Sequence, residues 1–361
     1  MNSLKDPQNI KEIYKFHWPQ QLCTPSELVD ALKRKTRLRI IKSPLCSKIV
    51  LQIVGSWAYL VANVLNKSKA FNYEVFREEL RRIEELQRHE NCDSENVNTA
   101  TEAETTGTKT RAAPLLTFSN HISCIDDPVL WGSLFPSFTY YSKKNDAVRW
   151  SAAAVDICFT TPWHSTFFAL GKTFPIMRGG VGLDQPAMDF ACALLNHNHW
   201  LHLFPEGRVM RDERQNKISN IDRGYIFKWG ISKLILDYFK KNTNDRESHS
   251  KLKTIRILPF YHLGLDDILP IGWPYLTRLN KRITILIRPE VIEMDGAFLD
   301  SILVERKLKY PQLGKSWSND EITRIKLTNY LEEEMEKLIE PATKLHRERG
   351  ENDDDSTRKT Y

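Results

Sequence analysis

His121 and Asp126 stand five residues apart in Ser119-Asn120-His121-Ile122-Ser123-Cys124-Ile125-Asp126-Asp127-Pro128, just after an apolar strand candidate, Pro114–Phe118. A neutral imidazole near its ordinary pKa takes a proton from an alcohol at neutral pH. A carboxylate on its other ring nitrogen fixes the tautomer and stabilises the imidazolium that forms. The spacing therefore reads as a general base with its orienting acid. With ten histidines in the chain, such a pair alone is weak evidence. The competing reading is a turn aspartate beside a surface histidine. Asp127-Pro128 reads as a helix start, with Asp127 as N-cap and Pro128 at the first helical position, which leaves Asp126 to face His121.

Three further segments bear on the pair. Phe204-Pro205-Glu206-Gly207-Arg208 follows a second strand candidate, His199–Leu203. Gly207 lets backbone approach a ligand closely, and Arg208 can grip a phosphate bidentately. Gly171–Gly180 places Arg178 ahead of a glycine pair, and Ile257-Leu258-Pro259-Phe260-Tyr261-His262 reads as a strand ending at a proline.

In order, these four segments resemble the four blocks of the glycerolipid acyltransferase superfamily. The resemblance implies that His121 and Asp126 are catalytic and that Arg178, Glu206 and Gly207 bind a glycerophosphate; Arg208, by its guanidinium alone, reads as a further phosphate contact. Met177 departs from the pattern, standing where an aspartate often precedes the arginine. A narrower likeness, to one branch of that superfamily, runs from Leu115 to Arg288. It is carried by Ala152–Thr160, His164-Ser165, Phe167–Lys172, Met188-Asp189-Phe190, Leu195-Asn196, Trp200-Leu201-His202, Phe227–Gly230 and His262–Pro270.

That branch implies acyl transfer between phospholipids and lysophospholipids without coenzyme A or any other cofactor. Its substrates would be cardiolipin, monolysocardiolipin and phosphatidylcholine, and its result the remodelling of cardiolipin. It implies a monotopic protein on the intermembrane-space-facing leaflets of the outer and inner mitochondrial membranes. The alternatives are an acyl-CoA-dependent lysophospholipid acyltransferase and a non-catalytic lipid-binding protein of the same fold. A soluble hydrolase is disfavoured by the lack of a Gly-x-Ser-x-Gly elbow.

The elements that must position these residues follow from pattern. Strand candidates Pro114–Phe118, His199–Phe204, Thr254–Phe260 and Ile283–Arg288 alternate with helices from Pro128, over Gln185–Leu195, Arg223–Lys240 and Glu321–His346. Alternation predicts an α/β fold, a mixed sheet flanked by helices and preceded by membrane-anchoring helices. The chain divides into a basic segment with a helix (1–48), an apolar anchor (49–66), an amphipathic helix (67–90), a disordered insertion (91–111), the catalytic domain (112–346) and a disordered tail (347–361).

The 361 residues carry a formal net charge of +6. Met1–Lys48 alone holds ten Lys/Arg against four acids, a patch suited to anionic lipid; no nucleic-acid motif accompanies it. Thr24-Pro25-Ser26-Glu27 is a capping box opening a helix to about Ile41. Ile49–Asn66 is eighteen residues without charge, about 27 Å as a helix against a hydrocarbon core of roughly 30 Å. Gln52, Ser56 and Asn63 favour a re-entrant or interfacial anchor over a crossing, and a buried soluble helix is the alternative. Phe159, Trp163, Phe167 and Phe168 lie in a second uncharged stretch that either lines an acyl channel, dips into lipid or packs in the core.

The first thirty residues hold no arginine and resemble neither a transit peptide nor a secretory signal. Six cysteines lack paired spacing and read as reduced, with Cys158 and Cys192 in the core and Cys124 as a packing spacer. His197-x-His199-x-x-His202 invites a metal reading, but His202 would point to the opposite strand face, so no metal is expected.

Overall fold

The computed structural model describes residues 18–34, 39–92, 113–135, 147–178, 182–210, 227–240, 253–270, 276–308 and 317–358. The elements run α1 (Pro25–Arg34), α2 (Pro44–Tyr59) with a π-helical turn (Leu60–Val64), β1 (Lys67–Phe71), α3 (Tyr73–Cys92), β2 (Leu115–Ser119), α4 (Asp126–Leu134), β3 (Trp150–Ala154) and α5 (Val155–Cys158). They continue with α6 (Pro162–Leu170), β4 (Thr173–Ile176), α7 (Pro186–Asn196), β5 (Leu201–Leu203), α8 (Gly230–Lys240), β6 (Thr254–Leu263) and α9 (Leu265–Ile268). The chain closes with β7 (Arg282–Ile287), β8 (Ile292–Asp295), α10 (Gly296–Glu305) and α11 (Asn319–Arg358).

Eight strands form one mixed sheet in the order β1-β7-β6-β2-β5-β3-β4, with β8 also paired to β6. β6, β2, β5, β3 and β4 run parallel. β7 and β8 run antiparallel to β6, and β1 follows β7. All five residues of β2 are buried. Side chains alternate across a strand, so Leu116 and Phe118 enter one core with α1, α7, α8 and α11, while Leu115 enters a second with α2, α3 and α4. The sheet thus lies between two helical layers, with the parallel strands all ending at one edge. In open α/β sheets ligands bind in the crevice beyond that edge.

Local chemistry sets the elements. Thr24 Oγ1 accepts the Glu27 N–H (3.2 Å) and Glu27 Oε2 accepts the Thr24 N–H (2.6 Å), the capping box read in the sequence. α1 is described over Pro25–Arg34, with residues 35–38 outside the described ones, and it does not reach Ile41, which forms a bridge with Leu22. The amphipathic helix buries Phe76, Leu80 and Ile83 and runs from Tyr73 to Cys92, where the sequence pattern sets it within its segment, after the edge strand β1. β1 (Lys-Ser-Lys-Ala-Phe) and β3 (Trp-Ser-Ala-Ala-Ala) went unforeseen: one is polar and the other rich in a helix former, and sheet pairing overrides both. The α8 helix begins at Gly230; residues 211–226 lie outside the described ones, as does the insertion from 93 to 112.

Two differences concern the ends. α2 starts at Pro44, before the uncharged run, and with its π-helical turn forms one 21-residue helix, Pro44–Val64, long and apolar enough to cross a membrane. Yet it packs along α4, where a Cβ on Gly132 would meet the Ala58 carbonyl carbon at 2.3 Å; only glycine allows that approach. Leu51, Ala58, Val61 and Ala62 face that contact, while Leu45, Ile49, Ile53, Trp57, Leu60 and Val64 form an exposed stripe at helical spacing. At the other end α11 continues to Arg358, through most of the tail expected to be disordered. A nucleated helix extends at low cost per residue, and 351–358 contains neither glycine nor proline.

Candidate active site

His121 lies in the turn between β2 and α4, at the sheet edge where the parallel strands end. The preceding residue is clamped to β6. Asn120 Nδ2 donates to the His262 carbonyl (2.8 Å), Asn120 Oδ1 accepts the His262 N–H (2.8 Å), and His262 Nε2 donates to the Asn120 carbonyl (2.7 Å). Sequence reasoning missed Asn120, although an amide beside the histidine was the available signal.

The His121 Nδ1 lies 2.8 Å from Asp126 Oδ2. The same oxygen accepts the N–H groups of Ile122 (2.6 Å) and Ser123 (2.9 Å), so three donors from one turn hold it. Asp126 is fully buried, while the His121 side chain stays 22% exposed. An acceptor on Nδ1 puts the proton there and leaves the Nε2 lone pair as the basic site.

Asp127 does not cap α4; the helix starts at Asp126, with Ile125 at the N-cap. Asp127 instead accepts from Trp131 Nε1 (2.6 Å), Arg149 Nε (3.0 Å), Arg149 Nη2 (2.6 Å) and Ser151 Oγ (3.0 Å). A bidentate guanidinium outcompetes a cap because it supplies two charge-assisted bonds. Burial opposes the charge on Asp127, but Arg149 and the Trp131 indole together hold its carboxyl below the usual range. The pair ties the first turn of α4 to β3.

The loop after β5 encloses His121 from the other side. Glu206 is buried, and its Oε2 accepts the His121 N–H at 3.2 Å. Met210 N–H donates to the His121 carbonyl at 2.6 Å, so both backbone groups of His121 are bonded to this loop. The turn needs Gly207, whose φ is +69°; the Gly207 N–H closes onto the Phe204 carbonyl at 3.0 Å. Phe204 stacks on the His121 ring with centroids 4.5 Å apart and planes at 26°. Arg208 is exposed and its Nε contacts Met210 Sδ at 3.3 Å.

Arg178 follows β4 and Asp156 follows β3. Ala154 pairs with Ile176, the last rung of the ladder, and Asp156 and Arg178 each lie two residues beyond it. Arg178 Nη2 donates to Asp156 Oδ2 (2.7 Å) and Nε to Oδ1 (3.3 Å). The Arg178 hydrogen bonds lead the causes that lower the Asp156 pKa. Gly179 and Gly180 lie outside the described residues. The structure thus brings His121, Asp126, Glu206 and Gly207 together, with Arg178 engaged by Asp156 along the same edge.

The histidines of the metal reading part company. His202 is wedged between β2 and β5, 2.8 Å from Thr117 Oγ1 and 3.3 Å from Ser119 Oγ, and burial pushes its pKa down to about 3. Thr117 Oγ1 also accepts the Trp200 indole N–H (2.8 Å), which ties His202 to the same buried cluster. His199 is half-buried beside Trp150, and desolvation pushes its pKa likewise down to about 3. Cys192 is in the core; Cys158 is only half-buried, and burial pushes its thiol up to about 11, too protonated for a nucleophile. Cys124 is exposed rather than packed. Of the aromatic stretch, Phe159 is core, while Trp163, Phe167 and neighbouring Ile157 are exposed.

Residues 93–261 match the family model described as Acyltransferase. Over 304 residues the chain is 30% identical to tafazzin of Drosophila melanogaster, covering 84% of this chain and 63% of that protein, and so spans under two thirds of its length. It is 30% identical to N-acylphosphatidylethanolamine synthase of Arabidopsis thaliana over 275 residues, covering 74% of this chain and 78% of that protein. A third relative, "Taffazin" of Dictyostelium discoideum, is 27% identical over 233 residues, covering 64% of this chain and 73% of that protein. With the mixed sheet and the ordered blocks in place, this chain belongs to the acyltransferase family, among its tafazzin-like members.

Proposed function

We propose that the protein is a membrane-bound phospholipid–lysophospholipid transacylase that works without coenzyme A. The observation that carries this reading is the His121 Nδ1–Asp126 Oδ2 contact of 2.8 Å on a ring that remains partly open. His121 Nε2 takes the proton of a lysophospholipid hydroxyl as that oxygen attacks an ester carbonyl of the donor lipid. The tetrahedral oxyanion collapses, and the His121 imidazolium protonates the departing alkoxide. One ester replaces another, so the equilibrium constant lies near one, and no acyl-enzyme is required. Arg178 and Arg208 hold headgroup phosphate; Glu206 acts chiefly by fixing the His121 backbone, to which its Oε2 is bonded.

The substrate sits in a bilayer, and the exposed stripe of α2 suits its surface. Lying in the membrane plane, Leu45, Ile49, Ile53 and Trp57 would enter the interface beside Trp163 and Phe167 of α6, while Leu51 and Ala58 stay on α4. A crossing would strip α2 from that packing. By family likeness the membrane is mitochondrial and the product remodelled cardiolipin.

Purified protein mixed with vesicles holding labelled phosphatidylcholine and monolysocardiolipin, with no coenzyme A, should move label to cardiolipin and stop near equal distribution. Label moving only when acyl-CoA is added would replace this reading with the CoA-dependent one. With phosphatidylethanolamine added to the same vesicles, label on its amine would favour N-acylation, the chemistry named for the Arabidopsis relative.

A further inference from the structure

We propose that Phe204 is a positioning residue for His121, a fixed aromatic wall that sets the imidazole plane and favours its protonated form as the proton is taken up. This rests on reading His121 as the base. The two rings lie nearly parallel, with centroids 4.5 Å apart and planes at 26°. A phenyl face carries negative quadrupolar charge, so it attracts an imidazolium more than a neutral imidazole.

The wall is itself braced. The His202 ring meets Phe204 edge-on at 4.7 Å and 82°. His202 is held by Thr117 and Ser119, and Trp131 stands edge-on against it at 4.7 Å. Burial keeps His202 neutral across the working pH range, so the brace adds no positive charge behind the imidazole. Asp126 fixes one nitrogen of His121 in position; a single hydrogen bond still permits the ring to rock about it. Phe204 removes that freedom and leaves Nε2 on one bearing. The other titratable groups around the ring are Asp126 on α4, Glu206 in the loop after β5, His202 on β5 and His262 on β6.

Phe204→Leu keeps apolar bulk and removes the quadrupole; Phe204→Tyr keeps the face. Imidazole NMR titration of the full-length protein in detergent, with His121 assigned from a His121→Ala sample, reads the ring directly. The His121 midpoint should fall by about half a pH unit in Phe204→Leu, consistent with a stacking contribution of a few-fold, and stay near wild type in Phe204→Tyr. In vesicle exchange, kcat should fall about threefold to tenfold in Phe204→Leu with KM unchanged, and Tyr should restore it. A Leu variant titrating like wild type, or Tyr and Leu shifting alike, overturns the proposal. Should Leu fail to fold, Phe204→Met supplies the same comparison. If wild type exchanges no label, the transacylase reading fails, while the titration still decides whether Phe204 governs the ring.

Discussion

Glu206 Oε2 accepts the backbone N–H of His121 at 3.2 Å, joining two segments 85 residues apart through one buried carboxylate. The same loop bonds the His121 carbonyl through Met210, so the base is seated by the loop that follows β5. Glu206→Ala removes a hydrogen bond to a charged acceptor, worth about 1.5–3 kcal/mol. Exchange kcat should drop by roughly tenfold to a hundredfold, with Glu206→Gln recovering part of it. Steady-state kinetics of the three proteins checks this; equal loss in Gln and Ala would mean that charge rather than the contact matters.

Asp126→Asn tests the orienting acid. The amide oxygen can take the place of Oδ2 and still accept from Ile122, Ser123 and His121, so the turn survives, but the negative charge that stabilises the His121 imidazolium is gone. Turnover should fall roughly a thousandfold or more, with KM and melting temperature near wild type. A loss under tenfold would remove Asp126 from the mechanism.

Arg149→Met leaves Asp127, whose side chain is 25% exposed, without its guanidinium. The loss falls between that of a surface pair and that of a buried one, about 1–3 kcal/mol, which a denaturant titration reads. The sign with pH follows from the direction of the shift. The folded Asp127 carboxyl lies below its ordinary value, so its stabilisation is complete above about pH 4 and is lost as pH falls through the folded value. Wild type should therefore lose stability on acidification, and Arg149→Met should show a weaker dependence in that window. An unchanged acid profile would contradict the assigned pair.

Asp156→Asn frees Arg178 from an exposed pair worth at most about 1 kcal/mol. If Arg178 holds headgroup phosphate, KM for the lysophospholipid should fall by up to about fivefold while kcat holds. An unchanged or higher KM would place phosphate elsewhere.

Ile53→Glu puts a charge in the exposed stripe of α2, away from its α4 contact. Binding to anionic vesicles, read by co-sedimentation, should weaken at least about tenfold with an unaltered melting temperature. Undiminished binding would move the membrane face off α2.

Much of the site was legible because it is local. His121, Asp126 and the Glu206-Gly207 turn sit in short runs where residue type and spacing carry the chemistry, and Thr24–Glu27 signals its own helix. What pins those runs is not local. Asn120 holds β6 from 142 residues away, and Asp127 abandons its cap for Arg149, just ahead of β3. β1 and β3 hid for a related reason: their sequences carry no strand signal until neighbours pair with them. Asp156 stood unread beside Arg178 because their opposition exists only in the β3–β4 register.

The most direct measurement is acyl exchange by full-length His121→Ala, run without coenzyme A on vesicles of phosphatidylcholine and monolysocardiolipin. Circular dichroism and vesicle co-sedimentation should match wild type, while label transfer falls to the enzyme-free background. Transfer at a rate near wild type in that folded, membrane-bound variant would contradict the account.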